Sequence, residues 1–138
     1  MKFPGKIHPK KAGEKYHSVE VSTLGIYTQG KSFKDAMAMV KDALEELLGI
    51  EIEVVPWGKK KDAFTVTAQD LKPLVARFLE IRREKAGLTI KEVTERLGRS
   101  AVNYYAQYEQ GRSLPGLEKL REFTDAMPGD EDDVVLIA

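Results

Sequence analysis

Four side chains in the second half of the chain, Ser100, Asn103, Tyr104 and Gln107, carry hydrogen-bonding groups at three- and four-residue spacing. Residues so spaced share one face of a helix. The amides of Asn103 and Gln107 each offer a donor beside an acceptor, the pattern that pairs bidentately with adenine in a major groove. Around them stand Arg82, Arg83, Lys91, Arg99 and Arg112. Cations so placed would meet phosphates, which fix position on a duplex without reading its sequence. Taken singly, each is equally well explained as a solvated surface charge.

Other chemistry is thin. The two histidines, His8 and His17, lie on separate segments, and the chain has no cysteine, so a metal site is not expected. Either histidine would need a defined partner to act as a base. The acids Glu14, Glu20 and Asp35 are too scattered for a two-metal set, and no glycine-rich phosphate loop follows a strand. Lys59-Lys60-Lys61, beside Trp57, reads as the solvated tip of a hairpin. We expect no enzyme, no metal and no cofactor.

The elements that must hold the amide face are short helices. Asp70 is placed to cap a helix with Pro73 in its first turn and Leu71, Leu74, Val75, Phe78 and Ile81 along one stripe, ending at Gly87. Thr89-Ile90-Lys91-Glu92 has the form of a capping box, with Val93 and Leu97 inward and Gly98 as the stop. A second helix is predicted from Ala101 to about Gln110, burying Tyr105 and Tyr108 and ending at Gly111. Leu117, Leu120, Phe123, Thr124 and Met127 mark a last helix. Two short helices joined by a glycine-containing turn and braced by neighbours are the unit that presents one helix to DNA.

These stretches resemble the XRE/Cro-type helix-turn-helix family: Leu88 to Val93 with Leu97-Gly98, then Tyr108-Glu109-Gln110-Gly111-Arg112, then Pro115 to Leu120. The resemblance implies double-stranded DNA as the partner of Ser100, Asn103, Tyr104 and Gln107.

The first half reads differently. Residues 1–9 and 16–28 form short strands, about three in all, with His17, Val19 and Val21 alternating against Ser18, Glu20 and Ser22, and Gly25 and Gly30 bracketing Ile26-Tyr27-Thr28. Ser32, with Asp35 three residues on, opens a helix whose apolar face runs from Phe33 to Leu48 and which Gly49 ends. Ile50, Ile52 and Val54, then Phe64 and Val66, alternate as two further strands around a hairpin at residues 58–62. The stretch Leu24-Gly25-Ile26-Tyr27-Thr28-Gln29-Gly30, followed by Ser32-Phe33-Lys34-Asp35-Ala36, resembles the N-terminal domain of HicB antitoxins. That resemblance implies an α+β chain: a degraded RNase H-like sheet with a helix, lacking nuclease function, then an all-α helix-turn-helix domain. It also implies a HicA-like RNA-cleaving toxin as partner, with Tyr27, Thr28 and Gln29 on the toxin-facing surface, and repression of the chain's own operon.

The expected domains are 1–68, 69–128 and an acidic tail at 129–138. The 22 bases and 22 acids cancel, but the tail holds four acids and no base, which leaves the remainder at +4. Local charge on a docking face matters more for phosphate attraction than the sum. Apolar Val134-Val135-Leu136-Ile137 is expected to pair with a sheet edge, within the chain or across a dimer. Without a long apolar run or a secretory pattern in MKFPGKIHPKK, we expect a cytoplasmic protein with no membrane partner. Reading two half-sites calls for a homodimer or tetramer. The alternative function is a stand-alone repressor whose N-terminal domain dimerises or senses a ligand.

Overall fold

The computed structural model describes residues 1–130 and 135–137. The chain divides into two compact units, Met1–Asp70 with Val134–Ala138, and Leu71–Asp133. The architecture is α+β: an antiparallel sheet with one helix, then a set of helices.

In the first unit, β1 (Phe3–Ile7), β2 (His17–Val21), β3 (Ile26–Gly30), β4 (Glu53–Pro56) and β5 (Ala63–Thr67) form one sheet in the order β3-β2-β1-β5-β4. Alternation puts Phe3, Ile7, Val19, Val21, Ile26, Phe64 and Val66 in the core, with Ala36, Val40 and Leu44 of α1 (Phe33–Leu48). Burying each large apolar side chain contributes roughly 1.5–3 kcal/mol. The expected third strand between Gly25 and Gly30 is β3, separated from β2 by a 3₁₀ turn at Ser22–Leu24. The strand expected from Ile50 begins at Glu53, with Ile52 buried ahead of it.

Helix α1 shows how the local chemistry works. Ser32 Oγ accepts from the Asp35 N–H at 3.0 Å, capping the first turn. The reciprocal half of a capping box is missing: the short Asp35 carboxylate takes the Lys31 N–H at 2.8 Å instead. At the other end Gly49 is left-handed, and Glu45 accepts from the Ile52 N–H at 2.9 Å and from Lys41 Nζ at 3.0 Å. Those two donors, the Ile52 amide foremost, hold the Glu45 carboxyl below its usual value. The glycine at the end of β3 is a matter of space. A Cβ on Gly30 would lie 2.4 Å from the Ala36 backbone nitrogen, so only glycine lets the start of α1 sit this close.

Leu136 exchanges two backbone hydrogen bonds with Lys2, at 2.7 and 2.8 Å, so the apolar C-terminal segment pairs within the chain at this point. Glu131, Asp132, Asp133, Val134 and Ala138 of the expected tail lie outside the described residues.

The second unit consists of α2 (Lys72–Lys85), α3 (Ile90–Arg96), α4 (Asn103–Glu109) and α5 (Leu117–Ala126). Leu71, not Asp70, precedes the first turn of α2. Leu74, Val75, Phe78, Leu79, Val93, Tyr105, Leu120, Phe123 and Met127 are buried together, while Leu117, expected in the apolar stripe of α5, is exposed. No helix among the described residues is long and apolar enough to cross a membrane.

Candidate nucleic-acid interface

Helix α3 is set by a complete capping box. Thr89 Oγ1 accepts from the Glu92 N–H, and the Glu92 carboxylate accepts from the Thr89 N–H, both at 3.1 Å. The chain leaves α3 through Gly98 at φ +71, a conformation that costs glycine least. It then runs exposed from Arg99 to Val102 before α4 begins at Asn103, two residues later than expected. The entry is tight, with the Tyr104 N–H bonded to the Ala101 carbonyl three residues back.

Tyr105 orients α4. It is fully buried, its ring edge-on to Phe123 at 5.2 Å and its hydroxyl 3.6 Å from Met127 Sδ. Burial, with Glu109 nearby, pushes its phenol far above the usual value, so it stays neutral. Tyr108 is half-buried against Phe123, and its hydroxyl accepts from Lys119 Nζ at 3.2 Å. That hydrogen bond raises the Lys119 ammonium pKa. With Tyr105 inward, the Ser100–Asn103 stretch faces outward.

Two neighbouring helices of fixed mutual geometry, a glycine turn between them and an outward second helix are the parts of one known device. Residues 74–135 match the family model of a helix-turn-helix domain. No curated protein matches the chain. The C-terminal unit carries a helix-turn-helix, and this supports a DNA-binding regulator.

The structure distributes the expected contacts of this helix-turn-helix unevenly. Ser100, Asn103, Lys91, Arg99 and Arg112 are exposed. Tyr104 turns toward α5, its hydroxyl donating to the Glu122 carboxylate at 3.2 Å, with Arg99 4.6 Å above its ring. Gln107 is half-buried: Nε2 donates to the Asn103 carbonyl at 3.2 Å, and Oε1 accepts from Ser113 Oγ at 3.0 Å. Its amide therefore holds the loop after α4. Arg82 donates from Nε to the Met127 carbonyl and from Nη2 to the Thr124 carbonyl, binding the C-terminal end of α5. Arg83 donates to the Glu109 carboxylate and, from Nη1, to the Leu88 carbonyl at 2.9 Å. Arg82 and Arg83, two of the four arginines expected at phosphates, are thus engaged inside the unit.

Val102, between Ala101 and Asn103, is 45% exposed on the same outward segment.

In the first unit, Tyr27 and Gln29 lie on edge strand β3, on the sheet face away from α1, while Thr28 is on the helix side. A shallow groove there is lined by His8, Ser18, Glu20, Tyr27 and Gln29 among others. His8 Nε2 stands 3.3 Å from Glu20 Oε1, and His17 Nδ1 bonds the His8 carbonyl at 2.9 Å while its ring stacks on Phe33. Both histidines thereby tie strands together. No group of three or more His, Asp or Glu suited to a metal occurs among the described residues.

Proposed function

We propose that this chain is a cytoplasmic HicB-like antitoxin: it neutralises a HicA-like RNA-cleaving toxin by direct binding and represses its own operon through the helix-turn-helix. The observation that carries the DNA-binding half is the outward Ser100–Asn103 segment, flanked by exposed Arg99, Lys91 and Arg112. The toxin-binding half is supported by the three-strand meander β1-β2-β3 running into α1 through Gly30, where the resemblance to HicB sits. In this reading the sheet is a degraded RNase H-like one without nuclease activity, the chain is not an enzyme, and Tyr27, Thr28 and Gln29 meet the toxin. The repressor works as a homodimer or tetramer, because one short helix reads too few base pairs for useful specificity.

The test is co-expression with the protein encoded in the neighbouring reading frame. A stable complex that blocks RNA cleavage by that protein is expected. A chain that binds its upstream DNA but holds no such partner would instead be a stand-alone repressor with a dimerising or ligand-sensing N-terminal domain. RNA cleavage by the purified chain would overturn both.

A further inference from the structure

Asn103, the first residue of α4, and Arg112, in the turn that follows the helix, are nine residues apart, and both are exposed. Arg112 Nη2 donates to Asn103 Oδ1 at 2.6 Å. The contact has one possible polarity. A guanidinium carries five donors and no acceptor, so the atom it touches must be the amide oxygen. The Asn103 NH₂ group is thereby turned the other way. The backbone secures the arginine end, since the Arg112 N–H bonds the Gln107 carbonyl at 2.9 Å. Gln107 is less available than Asn103, because its amide oxygen and nitrogen each already hold a partner within the chain.

With the Asn103 oxygen turned to the guanidinium, the side-chain pair presents mainly donors: the Asn103 NH₂ and the remaining guanidinium N–H groups. A free Asn would suit adenine, which shows an acceptor beside a donor. In the major groove guanine alone shows two acceptors, N7 and O6, on one base edge. Building on the DNA-binding reading above, we infer that Asn103 and Arg112 act as one unit that reads a guanine in each operator half-site. In this unit Arg112 is a positioning and specificity residue, not a phosphate clamp.

The experiment begins with the full chain selecting from a random-sequence duplex library, followed by titration of the selected duplex. A fixed guanine is expected in each half-site. Replacing it with 7-deazaguanine, which lacks the N7 acceptor, should weaken binding roughly 5- to 150-fold. Replacing it with inosine, which keeps N7 and O6, should leave affinity unchanged. Asn103→Ala and Arg112→Ala should each lose the guanine preference, and the double variant should be little worse than either single one. Circular dichroism melts of these variants should match the wild type, since both side chains are at the surface. Selection of a duplex that tolerates 7-deazaguanine throughout overturns the inference and leaves DNA binding intact. So does an Arg112→Lys variant that keeps the full guanine preference, because charge without the planar fork would then suffice. Failure to enrich any duplex overturns the DNA-binding reading itself, and this inference with it.

Discussion

Arg83 on α2 grips Glu109 on α4 with a two-pronged contact, Nε at 2.9 Å and Nη2 at 2.7 Å from the carboxylate oxygens. The Glu109 side chain is only 6% exposed and that of Arg83 19%, so water can reach the guanidinium edge but not replace it at the carboxylate. Arg83 also holds the Leu88 carbonyl just ahead of α3, so one guanidinium positions both helices of the DNA-binding pair. Removing one charge from such a pair leaves the other buried and uncompensated. Arg83→Met should therefore destabilise the unit by about 3–5 kcal/mol in urea unfolding, and adding Glu109→Leu should recover much of the loss. A loss under 1 kcal/mol for the single variant would mean that the contact is not maintained in solution.

Tyr105 gives the unit an alkaline limit. Burial raises its phenol above the ordinary value near 10. The sign follows from proton counting. Below pH 10 the folded and unfolded states both keep the proton, and Tyr105 adds no pH dependence. Above it the unfolded tyrosine ionises while the folded one does not, so stability falls by about 1.4 kcal/mol per pH unit from this group. Tyr105→Phe should cost about 1–2 kcal/mol at pH 7, because the hydroxyl gives up its contact with Met127 Sδ and its interaction with the Glu109 carboxylate. It should also flatten the decline above pH 10. Thermal melts across pH 8–11.5 measure both, and an unchanged alkaline slope would count against a buried phenol.

Which parts could be read in advance follows from how local their causes are. The capping box Thr89–Glu92, the glycines at positions 98 and 111, and the apolar spacing of α2 each act within a few residues, and the helix-turn-helix was legible from them. The arginines were not separable. Arg82 and Arg83 look like Arg99 in composition, but the carbonyls at the end of α5 and the Glu109 carboxylate that claim them are 26 to 45 residues away. Tyr104 went the same way, drawn to Glu122 across 18 residues. The Asn103–Arg112 contact depends on how the chain turns after Gly111, which periodicity does not describe. In the first unit alternation placed the strands, yet the strand order joins β1 to β5 across more than fifty residues, beyond any local signal.

Gly30 tests the close approach of β3 and α1. The clash a methyl group would meet is with the Ala36 backbone, which cannot rotate aside as a side chain can. Gly30→Ala should cost at least the 1–3 kcal/mol typical of overpacking. Gly116→Ala is the control, since its Cβ would enter open space at a φ of −70°. The expected result is loss of the sheet's cooperative transition in Gly30→Ala alone, followed by denaturant unfolding or amide exchange.

The last prediction separates arginines that touch DNA from those that build the domain. Lys91 and Arg99 are exposed, beside the outward segment, while Arg82 binds the Met127 and Thr124 carbonyls. Each phosphate contact releases about one counterion, so log K falls with log salt by about 0.9 per contact. Lys91→Ala and Arg99→Ala should each weaken binding to all duplexes alike and reduce the salt slope by about 1, with the melting temperature unchanged for Lys91→Ala and lowered slightly for Arg99→Ala, which also loses its place over the Tyr104 ring. Arg82→Ala should do the opposite: it leaves the slope alone and lowers the melting temperature, because the last turn of α5 loses the donors on its carbonyls. Should Arg82→Ala reduce the slope while Arg99→Ala does not, the duplex would lie on a different side of the unit from the Ser100–Asn103 segment.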